Sequence, residues 1–150
     1  MPKIPLTDLH RALHGLAGDW AGEERISPSP WDPTGAVAQG TVRNEVALDG
    51  LVVIQQYDQA REGRVVFQGH GVFSVNGAEA VLDWWDNWSA TPRQFRGGMA
   101  GNALVLVSRD PKGLARATWE IAGTEYQYHL EVSSDDRAWT RYLDATYRRT

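Results

Sequence analysis

With 150 residues, a formal net charge of −4, 15 scattered Lys and Arg, and no cysteine, the chain reads as one domain over residues 1–150. Disulfides and thiolate metal sites are excluded, and without a basic patch nucleic acid is not an expected partner. No apolar run approaches the ~18 residues of a membrane helix and no apolar signal core opens the chain, so the expected location is the cytoplasm, with no membrane partner.

The first predicted element is a short helix. Thr7 can cap it, Asp8 suits its positive end, and Leu6, Leu9, Leu13 and Leu16 form an apolar stripe. Gly15 is expected to end it in a left-handed conformation. His10 and His14 lie one turn apart and read as a solvated face. A metal is not expected there, because no third ligand is near. A first strand begins at Gly18–Trp20. Glu24 shares the face of Trp20, which leaves a pocket position and a surface position both open.

Ser27–Gly35 contains three prolines and reads as a loop with Trp31 near its tip, a packing anchor or a lid. Beyond Ala36 the chain alternates and turns repeatedly. The turn signals are Asp49-Gly50, Glu62-Gly63, Asn76-Gly77, Gly101-Asn102, Asp110–Gly113, Ala122-Gly123 and Ser134–Asp136. They mark about ten antiparallel strands joined by hairpins. The expected fold is all-β: a single up-and-down β-barrel with a short N-terminal helix.

Two-residue turns set register, so cross-strand neighbours can be worked out. Pivoting on Asp49-Gly50 pairs Val42 with Tyr57, Asn44 with Gln55 and Val46 with Val53. The next two pivots place Gln55 opposite His70, Tyr57 opposite Gln68, His70 opposite Asp83 and Gln68 opposite Trp85. One face then carries Val42, Val46, Val53, Tyr57, Val72, Val81 and Trp85 around a polar row of Asn44, Gln55, His70 and Asp83. The other carries Arg43, Glu45, Gln56, Asp58 and Asp86 beside Val52, Ile54, Phe67, Phe73 and Trp84. Unpaired charge is rarely buried, so the first face is the expected lumen. Farther on, pivoting on Ala122-Gly123 pairs Trp119 with Tyr126 and Ala117 with Tyr128, an aromatic wall that also includes Leu130. Arg116, Gln127, His129 and Glu131 make a polar face behind it.

The expected pocket is therefore lined by Asn44, Gln55, Tyr57, Gln68, His70, Asp83, Trp85, Trp119, Tyr126 and Tyr128. An apolar pocket with a few convergent polar groups suits a small hydrophobic or amphipathic ligand. An imidazole beside a carboxylate also suits general base chemistry, so an enzyme using His70 and Asp83 is one alternative. No cofactor is required by the first reading. Phe67, Phe73, Trp84 and Trp88 would lie together outside, a patch that a homodimer could bury.

Three segments carry a resemblance: Leu16–Glu23; Ala47–Gly50 with Phe67–Phe73; and Trp139–Arg148. They resemble an uncharacterised bacterial family of calycin-type, lipocalin-like barrels similar to fatty-acid-binding proteins. The resemblance implies the barrel and leaves the ligand unassigned. Fatty-acid-binding proteins hold a carboxylate with Arg-x-Tyr on the last strand, where this chain reads Arg141-Tyr142-Leu143. Nitrobindin-like haem barrels share a G-x-W-x-G start, matched by Gly18, Trp20 and Gly22. They use a late histidine, for which His129 is the candidate, so a haem barrel is the second alternative. An arginine of the last strand, Arg141 or Arg148, is expected to stack on Trp20.

Overall fold

The computed structural model describes residues 1–30 and 32–150. Trp31, the expected loop anchor or lid, lies outside the described residues. The elements are α1 (Asp8–His14), β1 (Gly18–Ile26), β2 (Ala36–Ala47), β3 (Val52–Arg61), β4 (Arg64–Asn76), β5 (Glu79–Asp86), β6 (Arg93–Ala100), β7 (Ala103–Asp110), β8 (Gly113–Ile121), β9 (Glu125–Ser133) and β10 (Thr140–Arg149). Each strand pairs antiparallel with its sequence neighbour, and β1 pairs with β10 to close the barrel. This is the expected up-and-down topology. Among the described residues, no helix is long and apolar enough to cross a membrane.

The hairpins follow their turn chemistry. Arg61 pairs with Arg64 across Glu62 and Gly63, both in the left-handed region at φ 52° and 78°, which favours Gly at the second position. Pairing of β2 with β3 is the one expected: Val42 with Tyr57, Asn44 with Gln55, Val46 with Val53.

Register departs from expectation at three places. On β4, Gln59 pairs with Phe67 while Ala60 pairs with Val65, so Val66 is an extra residue, a β-bulge. Beyond it every β4 side chain changes sides: Gln56, not Gln55, lies opposite His70. The β4–β5 turn is Gly77-Ala78 rather than Asn76-Gly77, so His70 pairs with Trp85, and Asp83 pairs with Val72. Between β8 and β9, Trp119 pairs with Tyr128 and Ile121 with Tyr126, two residues from the expected register but on the expected face.

The bulge decides what is inside. Phe67, Phe73 and Trp84 turn into the lumen, and Phe73 is fully buried. Gln68, His70, Asp83 and Trp85 turn out, with Trp85 45% exposed. Removing a large apolar side chain from water is worth about 1.5–3 kcal/mol, and three such rings outweigh a row of polar groups that hydrate well outside. The expected lumen face is thus corrected for β4 and β5. The apolar patch behind the homodimer expectation loses three of its four members to the interior.

Helix α1 plugs one end of the barrel. Leu13 and Leu16 are buried against Trp20 in the core. Thr7 and His10 form a capping box in which the imidazole Nδ1 takes the place usually held by a glutamate, accepting from Thr7 N–H at 3.0 Å. His10 is therefore buried rather than on a solvated face, and His14 Nε2 lies 2.7 Å from the Gly50 carbonyl. Gly15 closes the helix in right-handed geometry, at φ −62°. Trp20 Nε1 and Asn44 Nδ2 both donate to the Leu16 carbonyl, at 2.9 and 2.8 Å. The guanidinium over the Trp20 ring belongs to Arg149, 4.2 Å from its centroid, rather than to Arg141 or Arg148. Arg149 also donates to the carbonyls of Ala17 and Gly123.

Candidate functional site

Ten strands make a lumen wider than side chains alone fill. Here a cavity of about 370 Å³ remains, reaching from the centre of the barrel to the end opposite α1. Phe67 and Trp84 line it from β4 and β5, Phe95 from β6 and Trp119 from β8. Tyr126, Tyr128 and Leu130 line it from β9, and Tyr142, Leu143 and Tyr147 from β10. Gln55, Tyr57, Gln59 and Arg61 descend along β3, while Asp86, Trp88, Ser89 and Arg93 ring the mouth.

Aromatic edges and faces lock these walls together. Phe73 meets Trp119 edge-on with centroids 5.4 Å apart, Trp119 meets Tyr128 at 5.2 Å, and Tyr126 meets Tyr147 at 5.1 Å. Trp84 crosses β4 where Gly69 and Gly71 leave room. A Cβ on Gly69 would overlap the indole. Trp84 Nε1 donates to Asp86 at 2.8 Å, which fixes the ring from the mouth side.

Glu24 is the most unusual group at the site. It is fully buried on β1, behind the cavity wall. The Tyr57 hydroxyl donates to its carboxylate, 2.7 and 2.6 Å from the two oxygens, and Gln59 Nε2 donates to Oε1 at 3.0 Å. The Tyr147 hydroxyl donates to Oε2. Gly40 is the backbone that makes room, because a Cβ there would overlap the carboxylate. Burial raises the carboxyl above its usual 4.5. The hydrogen bonds from Tyr147, Tyr57 and Gln59 oppose this, as does the charge of Arg61. Burial also drives the phenols of Tyr57, Tyr126, Tyr128 and Tyr147 upward, so all four stay protonated through the neutral range. Arg61 stands one step away: its Nε donates to Gln59 Oε1 at 3.2 Å, and Nη1 pairs with Asp32 at 3.1 Å.

Of the ten residues expected in the pocket, Gln55, Tyr57, Trp119, Tyr126 and Tyr128 line the cavity. Asn44 is buried but lies toward the plugged end, accepting from Gln55 Nε2 at 3.0 Å. Gln68, His70, Asp83 and Trp85 are outside. Gln68 bonds Asp58, Asp83 accepts from Gln94 at 2.9 Å, and His70 packs beside Trp85 with centroids 6.1 Å apart. His70 and Asp83 therefore form no acid–base pair. Sequence reasoning missed Gln59, Phe67, Trp84 and Tyr147, and left Glu24 open. For Phe67 and Trp84 the extra residue at Val66 hid their side of the sheet, whereas Gln59 shares the face of Gln55 and Tyr57 and was legible from β3 alternation.

The alternatives drawn from resemblance find little support in these residues. His129 sits on the outer face of β9, its Nε2 4.0 Å from Glu131, and pairs across to Thr118. Among the described residues, no histidine or methionine lines the cavity, so the axial ligand a haem would take from His129 is not provided. Arg141 pairs outward with Asp144 at 3.5 Å, and only Tyr142 of the Arg-Tyr pair reaches the cavity.

No family model matches the chain, and no curated protein matches it significantly. Among solved structures, Rv2717c from M. tuberculosis is similar in fold. The TM-score is 0.76 at 16% identity, covering 97% of this chain and 99% of that one. A de novo designed fluorescence-activating β-barrel gives a TM-score of 0.47 at 14% identity, covering 97% of this chain and all of the design. At these identities the likeness to Rv2717c establishes the β-barrel fold and nothing about what is bound.

Proposed function

We propose that this protein binds a small, largely apolar molecule inside its barrel. The supporting observation is the cavity itself: about 370 Å³, walled by aromatic rings, with a few polar groups from β3, the tyrosine hydroxyls of β9 and β10, and the mouth. That size and make-up fall within the range of small-molecule sites, roughly 300–1,000 Å³. The outward strand positions carry ion pairs such as Arg43–Asp19, Arg96–Glu79 and Arg148–Glu125. A barrel built to cross a membrane has the opposite polarity, and we place this one in the cytoplasm. Calycin-type ancestry agrees with the closed meander and the Trp20–Arg149 stack at the plugged end.

The test is titration with the neutral naphthalene dye Prodan, read by dye emission and by quenching of tryptophan. Trp84 and Trp119 line the cavity, so both signals should saturate at one dye per chain. Ala117 is buried on the same wall, and Ala117→Phe fills part of the space. That variant should lose roughly tenfold or more in affinity while still melting cooperatively. Unchanged affinity in a folded Ala117→Phe protein would overturn the lumen as the binding site.

A further inference from the structure

We propose that the ligand is an organic cation, an apolar body bearing a protonated amine or quaternary ammonium, seated with its charge toward the tyrosines around Glu24. The inference rests on the lumen-binding reading and adds the ligand's chemical class.

It starts from an imbalance of charge. Glu24 is the acidic group sealed within the barrel wall, and the groups that touch it, Tyr57, Tyr147 and Gln59, are all neutral. The nearest guanidinium, Arg61, is committed to Gln59 and Asp32 and does not reach the carboxylate. A buried carboxylate without a paired cation is costly. An arriving cation would balance it.

The surrounding groups suit that arrival. Tyr57 and Tyr147 give their hydroxyl protons to Glu24, so each phenol oxygen can serve a ligand only as an acceptor. Trp84, Trp119 and Tyr128 line the same cavity, and the faces of such rings attract ammonium groups, most strongly where water is excluded. Tyr126 is only 1% exposed, and its hydroxyl has no hydrogen-bond partner among the described residues. Tyr126 lines the same cavity.

The charge is also linked to a proton. The titratable or charged groups facing Glu24 are Tyr57 and Arg61 from β3, Tyr126 and Tyr128 from β9, and Tyr147 from β10. Asp32 lies behind Arg61, and Gly40 faces Glu24 from β2. Binding a fixed cation favours the ionised carboxylate, so a fraction of the protein releases a proton as the ligand enters.

The experiment compares benzyltrimethylammonium with neopentylbenzene, its neutral isostere, by calorimetry and tryptophan quenching. The wild type should bind the cation roughly tenfold or more tightly. The preference should grow as pH rises, and the heat should vary with the buffer's ionisation enthalpy. Glu24→Gln should remove the preference. If that variant does not fold, the wild-type pH series decides: a rising preference supports the proposal and a flat one overturns it. Equal or tighter binding of the isostere, or a preference that survives in folded Glu24→Gln, overturns the cation while leaving a binding barrel. Prodan binding without either probe also overturns the cation. Failure of all three ligands overturns the lumen-binding reading beneath it.

Discussion

At the scale of single residues, Glu24 concentrates the conflict between burial and chemistry. Burial holds its carboxyl above 4.5, so in the window above that value the folded chain keeps a proton that the unfolded chain has lost. A raised folded-state value means that the stabilisation is complete below about pH 4.5. It is lost as pH rises through the folded value. Glu24→Gln has no such titration. The difference in urea stability between wild type and Glu24→Gln should therefore move in favour of the variant as pH is raised from acid toward neutral. Two stability curves that run parallel over that range would contradict this. Glu24→Leu is a harsher change, because it leaves the Tyr57 and Tyr147 hydroxyls without their acceptor, while Gln59 keeps only its bond to the Tyr57 oxygen. Each unsatisfied donor costs about 1–3 kcal/mol, so urea denaturation should show a loss of several kcal/mol.

At the scale of elements, strands β4 and β5 set the shape of the cavity through small residues as much as large ones. Gly69 and Gly71 leave a trough across β4 in which the Trp84 indole lies. Gly69→Ala would push that ring toward the lumen and away from its bond to Asp86. Overpacking of this kind costs about 1–3 kcal/mol. The expected outcome is a lowered melting temperature together with a changed tryptophan emission and weaker Prodan binding. If emission and binding are unchanged, Trp84 does not depend on the trough. Val66 matters to the same strand in another way. Its extra residue lets a two-residue turn at Glu62-Gly63 coexist with Phe67, Phe73 and Trp84 facing inward.

At the scale of the whole molecule, the lumen is a tyrosine-rich volume that resists ionisation. Burial is the first cause of the raised values at Tyr57, Tyr126, Tyr128 and Tyr147, and the charge of Glu24 adds to it. Folded values above the ordinary 10 mean that these phenols stabilise the fold fully below that pH. The contribution is lost as pH rises through the folded values. In a spectrophotometric titration these four should resist ionisation at pH 10, then ionise together as the barrel opens in alkali. Gradual ionisation at ordinary phenol values without loss of structure would show that the lumen is open to water.

How much of this was legible in the chain follows the same scales. Turn chemistry is local: the seven turn signals between β-rich runs, from Asp49-Gly50 to Ser134–Asp136, lead to the expectation of about ten strands ordered as a meander, the observed topology. The helix cap at Thr7 and the inward aromatic wall of Trp119, Tyr126 and Tyr128 are likewise consequences of short-range pattern. Only the tertiary structure decided which side of β4 and β5 is the lumen. Period-two alternation is blind to a single inserted residue, and Val66 moves every later side chain of β4 to the opposite face at no cost to the local pattern. The choice is made by the closed barrel, where burying Phe67, Phe73 and Trp84 outweighs burying Gln68, His70 and Asp83. For the same reason the Glu24 cluster could not be read from the sequence: its partners lie 33, 35 and 123 residues away and meet only when β1 is hydrogen-bonded between β2 and β10.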